Sequence, residues 1–114
     1  MKELTYADKT VLVGDAAADT IIEYSALLAE KGHADSVILN AIAESGGLVV
    51  ASFVLGSGTN LMAATTASDQ PDPDNAEGIA SMREAIDRLT TPVTVQPDST
   101  PWPDNRDFDL PGEQ

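Results

Sequence analysis

Between Ser36 and Thr66 the chain reads SVILNAIAESGGLVVASFVLGSGTNLMAATT, three apolar runs divided by two glycine-containing turns. The runs are Ser36 to Ala43, Leu48 to Leu55 and Leu61 to Thr66. Branched side chains in runs of this length, closed by Glu44-Ser45-Gly46-Gly47 and by Gly56-Ser57-Gly58-Thr59-Asn60, predict an antiparallel meander. Residues 37–44 also fit a buried helix, since Val37-Ile38-Leu39-Asn40-Ala41-Ile42 carries no periodicity that separates the two; strand is the reading adopted. Ser45 to Ser68 holds no charged residue over 24 positions. It is not read as a membrane span, because a spanning helix needs about 20 mostly apolar residues and glycines interrupt this stretch.

Upstream of the meander, Ala17, Ile21, Tyr24 and Leu28 recur at four, three and four residues. That spacing predicts an amphipathic helix over Ala16 to Lys31. Asp15 is the expected N-cap, Lys31 suits the negative helix end, and Gly32 is the expected stop. Before it, Leu4 to Tyr6 and Thr10 to Val13 flank Ala7-Asp8-Lys9, which predicts a small hairpin. Downstream, Asp74-Asn75-Ala76-Glu77 has the form of a capping box with Asp74 as N-cap. Ile79, Met82, Ile86 and Leu89 then give a second apolar stripe, ended by Thr90-Thr91-Pro92. Glu84 with Arg88, and Arg83 with Asp87, stand four residues apart and are candidate ion pairs.

These elements predict an α+β domain over residues 1–90: a small antiparallel sheet of three to five strands with two amphipathic helices packed on one face. Residues 91–114 read differently. They hold five of the seven prolines and few large apolar groups, so this acidic, proline-rich tail is expected to be extended or disordered alone. No internal repeat is visible.

The chain has 114 residues, 19 acids against 6 Lys plus Arg, and a net charge of -13. Residues 1–67 carry eight acids and three bases, and residues 68–114 eleven acids and three bases. That excess of acid argues against nucleic acid or an anionic membrane as partner, since phosphate contacts require cations. With no cysteine, disulfides and thiol chemistry are excluded. The first residues, Met1 to Tyr6, lack the basic-then-apolar pattern of a secretory signal, and a cytoplasmic location is expected.

Candidate catalytic features are weak. Val11-Leu12-Val13-Gly14-Asp15 enters a helix as a nucleotide-binding strand does, but it lacks the three spaced glycines, and Asp15 and Asp19 stand where phosphate would sit. Gly56-Ser57-Gly58-Thr59 lacks the lysine of a phosphate loop, and no Lys or Arg occurs between Gly32 and Met82. His33 is the single histidine, in an expected surface loop beside Asp35 and Ser36, and sequence neighbours do not make a relay. Asp15, Asp19 and Glu23 fall on one helix edge and read as a solvated stripe. Asp72, Asp74 and Glu77 lack the loop pattern of a calcium site. No catalytic, cofactor or metal residues are assigned.

The remaining signals concern association. Trp102, Phe108 and Leu110 stand in the acidic Pro101–Pro111 segment, where flanking prolines lower the entropy lost on docking and a large aromatic supplies anchor area. Either a partner or the chain's own sheet edge is a fitting dock. Leu48 to Leu55 is apolar on both faces, and Val50 and Phe53 are taken as contact residues, because two helices cover one face of a sheet but scarcely both. The expected function is therefore non-catalytic: self-association or binding of a protein partner, including a structural role in a larger particle. An acidic inhibitor that binds a basic protein is the alternative, with the charge itself as the recognition surface. A small carboxylate-dependent enzyme is the third reading.

Overall fold

The computed structural model describes residues 1–91, so Trp102, Phe108 and Leu110 and the reading of the tail lie outside the described residues. The protein is α+β, with a five-stranded antiparallel sheet and two helices. In chain order the elements are β1 (Lys2–Tyr6), β2 (Lys9–Val13), α1 (Asp15–Lys31), β3 (Asp35–Ile42), β4 (Leu48–Leu55), β5 (Leu61–Thr65) and α2 (Ala76–Thr90). The strand order is β4-β3-β2-β1-β5.

β1 and β2 form the expected hairpin, with Tyr6 opposite Lys9 and Lys2 opposite Val13. The loop is shorter than predicted: Lys9 joins the strand, and Ala7 takes φ 56° to close the two-residue turn. Of residues 37–44, those up to Ile42 are strand and Ala43 and Glu44 lead into the turn; β3 pairs β4 along its full length, from Asp35↔Leu55 to Ile42↔Leu48. The rest of the meander is not formed. β5 leaves β4 and pairs with β1, from Lys2↔Thr65 to Tyr6↔Leu61.

Two local features explain the departure. The Gly56 N–H donates to Thr59 Oγ1 (2.9 Å) and the Thr59 N–H to the Gly56 carbonyl (3.2 Å), which close a tight turn directly after β4. The Ala7 N–H then donates to the Asn60 carbonyl (3.2 Å), which starts the β1–β5 ladder one residue before Leu61.

The sheet is curled. β1 and β4 are three strand spacings apart in the order, about 14 Å in a flat sheet, which is beyond the reach of a tyrosine. Yet the Tyr6 hydroxyl donates to the Val54 carbonyl at 2.8 Å, and its ring meets Phe53 edge to face at 5.6 Å. β4 therefore swings round toward β1 at its Leu55 end.

The helices fill the concave side. Ala17, Ile21, Tyr24 and Leu28 of α1 are all buried, as their spacing predicted, together with Met82, Ala85 and Ile86 of α2. They form one cluster with Leu4, Val13, Val37, Leu39, Phe53 and Leu55 from the strands. Gly32 ends α1 with φ 71°, its N–H bonded to the Ala29 carbonyl while the His33 N–H reaches Leu28, a Schellman arrangement.

Both predicted N-caps shift by one residue. Gly14, not Asp15, caps α1, and Asp15 lies 3.2 Å from the Met1 nitrogen instead. Asn75, not Asp74, precedes α2, and no capping box forms: Asp74 Oδ1 accepts from the Ala76 N–H at 3.1 Å. The Asn75 side chain is committed elsewhere. Its Oδ1 accepts the Asn40 N–H (2.7 Å) and its Nδ2 donates to the Asn40 carbonyl (2.8 Å). The pair imitates one rung of a β-ladder and closes β3 where β2, which meets β3 only at Leu12↔Ile42, has already ended. Arg83 reaches across to Glu23 of α1 at 3.1 Å rather than to Asp87, and Glu84 meets Arg88 at 3.9 Å.

Candidate functional site: an exposed apolar face and edge

Alternation along β3 and β4 sorts their side chains. Val37, Leu39 and Ala41 of β3 turn inward with Phe53 and Leu55 of β4. The register then places Ser36 beside Val54, Ile38 beside Ser52 and Asn40 beside Val50 on the opposite, outer face. Ile38 is 62% exposed, Leu48 78%, Val50 69% and Val54 63%, which makes this the most apolar exposed surface among the described residues. Solitary exposed apolar residues need no explanation, but a contiguous group does. No charge interrupts it on β4, whose eight residues lie within the uncharged stretch from Ser45 to Ser68.

The same hairpin carries an open edge. The Asn40 backbone groups point to Asn75, away from β4, so in an antiparallel register the groups of its partner Val50 also point away from β3. By the two-residue period the same holds for Leu48, Ser52 and Val54. β4 is the last strand of the sheet, so these groups face outward. Val54 is provided for at its carbonyl alone, which accepts from Tyr6 and, at 3.4 Å, from Thr59. Among the described residues nothing pairs with the N–H or C=O groups of Leu48, Val50 and Ser52. Edge strands are usually guarded by lysine, proline or a bulge. β4 has none of these.

Of the sequence-predicted contact residues, Val50 lies at the centre of this face. Phe53 does not belong to it: at 3% exposure it packs in the core against Tyr6, because odd-numbered positions of β4 point inward. Ile38, Leu48 and Val54 were missed. The polar residues Ser36, Asn40 and Ser52, interleaved on the same face, were the available signal for which side meets water.

The other candidates separate in space. A groove between β3 and α2 is lined by Tyr24, Asp35, Ile38, Ser81 and Arg88. In it the Tyr24 hydroxyl donates to Asp35. Burial first, and the hydrogen bond to that carboxylate second, push the Tyr24 pKa up to about 12. A phenol held protonated in this way is a poor base or nucleophile at neutral pH. The other Asp35 oxygen accepts the Ser36 N–H at 2.7 Å, so this carboxylate orients Tyr24 and the β3 backbone rather than His33. His33 is exposed in the α1–β3 loop.

The acidic stripe of α1 is engaged internally. Asp19 binds Lys2 at 2.6 Å and raises its pKa, and Glu23 binds Arg83. No group of three or more His, Asp or Glu residues is placed to hold a metal ion among the described residues. No described helix is long and apolar enough to cross a membrane. No protein-family model, curated protein or solved structure shows significant similarity to this chain.

Proposed function

We propose that the protein acts without catalysis, by protein–protein association through the outer face of β3 and β4. The observation that carries this reading is the group Ile38, Leu48, Val50 and Val54, each more than 60% exposed on one continuous sheet face. Fully burying an aliphatic side chain of this kind contributes roughly 1.5–3 kcal/mol. Covering such a face therefore supplies a useful driving force for association. The uncharged character of β4 matters as much, because a chain of net charge -13 repels most acidic surfaces and meets least resistance here.

Light scattering on the full chain at low and high salt tests the reading. Apolar association predicts a mass above 11.9 kDa that persists as salt rises. Val50→Glu, which changes an exposed side chain and leaves the core untouched, is expected to return the monomer. A monomer at every salt concentration, together with salt-sensitive capture of basic proteins, would shift the reading to the acidic inhibitor. On α1, Asp19 and Glu23 are already occupied by Lys2 and Arg83.

A further inference from the structure

Resting on that reading, we infer that the partner is a second copy of this chain, joined edge to edge through β4 about a two-fold axis at Val50. The residues of β4 with both outward groups unpaired are Leu48, Val50 and Ser52, evenly spaced on either side of Val50. Antiparallel pairing of this segment with itself sets Leu48 opposite Ser52 of the second copy and Val50 opposite Val50. Each such position exchanges an N–H and a C=O with its opposite, so the open groups of Leu48, Val50 and Ser52 are all satisfied. A two-fold interface requires a surface complementary to itself, and this edge has that property.

Side chains and charge agree with the pairing. On the outer face the two Val50 side chains meet, and the exposed rows of both hairpins merge into one apolar surface. On the inner face Val49, 37% exposed at the open margin, comes opposite Ala51 of the second copy. No residue of β4 is charged, so the pairing strands of two chains of charge -13 bring no carboxylates together, although Asp74 borders the outer face beside Asn40 and Val50. A basic partner would be drawn instead to the acidic helices. The result is a ten-stranded sheet that runs through both copies.

The chain has no cysteine, so a single introduced one reports the pairing cleanly. Hydrogen-bonded antiparallel neighbours have Cα atoms about 5.5 Å apart, within disulfide range. Val50→Cys in the full chain is expected to give a covalent dimer on mild oxidation. Met62→Cys, also exposed but on β5, is expected to stay monomeric on a non-reducing gel.

Ser52→Pro removes an outward N–H that the β3–β4 ladder does not use. By symmetry two hydrogen bonds are lost, and the dimer dissociation constant is expected to rise about 30-fold with the melting profile retained. Should that variant fail to fold, Val50→Lys sets two cations face to face across the axis and is expected to give the same loss. Cross-linking at position 50 no faster than at 62, or a folded Ser52→Pro variant that dimerises normally, overturns the edge pairing. In that event a salt-resistant dimer of the native chain would still uphold association through the face. A native chain that is monomeric at high micromolar concentration overturns both.

Discussion

Replacing Asn75 by alanine removes both hydrogen bonds that close the free portion of β3. The Asn40 N–H loses its acceptor at 2.7 Å and the Asn40 carbonyl its donor at 2.8 Å. Asn75 is 8% exposed, so water does not readily take its place. Each lost bond costs about 1 kcal/mol net, and leaving part-buried backbone groups unpaired adds to it, for a total of about 2–3 kcal/mol. That is a large share of the 5–15 kcal/mol typical of small domains.

Asn75→Asp sharpens the test. Its carboxylate still accepts the Asn40 N–H but turns a second oxygen, with no proton, toward the Asn40 carbonyl. Once protonated, the same group can donate. The deficit relative to the native chain is therefore expected to be present at pH 7 and to shrink as pH falls to 4. Urea unfolding of the full chain, followed by far-ultraviolet circular dichroism, measures both variants. A loss below about 0.5 kcal/mol for Asn75→Ala, the level of an ordinary surface change, would refute the account of this pair as a structural rung.

Phe53→Ala is expected to destabilise by about 3–5 kcal/mol, the cost of emptying a buried aromatic site, and the same urea experiment reads it. A change of only a few tenths would mean that Phe53 is not in the core. Ala7→Gly is expected to raise stability by about 0.5–1 kcal/mol, since φ 56° strains a residue with a β-carbon and costs glycine nothing. Tyr24 carries an alkaline signature: its pKa of about 12 when folded lies above about 10 when unfolded, so the folded chain keeps its proton longer. Stability should fall as pH rises from 10 toward 12 and then level off, and Tyr24→Phe should remove that slope. An unchanged slope in the variant would assign it to other groups.

Local signals in the sequence were dependable where one segment decided its own structure. The spacing of Ala17, Ile21, Tyr24 and Leu28 located α1, and Gly32 ended it, because helix periodicity and a left-handed stop are properties of neighbours. What the sequence left open depended on distant residues. Asp74 is the expected cap, yet Asn75 takes the position and its amide serves Asn40, 35 positions away. Arg83 had a partner four residues on, yet binds Glu23 on the other helix. The inward turn of Phe53 and the outward turn of Val50 follow from strand parity, which an all-apolar run conceals.

The misplaced β5 and the candidate interface have a common origin. A meander would have put β5 against β4 and satisfied Leu48, Val50 and Ser52 within one chain. In the observed order β5 satisfies β1 instead, Asn75 closes β3, and Tyr6 covers Val54 at the far end of β4. Each device is specific to its position, and on β4 they leave one short segment open, uncharged and without proline. β5, the sheet's other outer strand, is also unpaired on its far side, but the open part of β4 adjoins the exposed apolar row of Ile38, Val50 and Val54 and so presents a surface suited to another strand. The chain's own β4, antiparallel and centred on Val50, is the strand whose register and charge fit it.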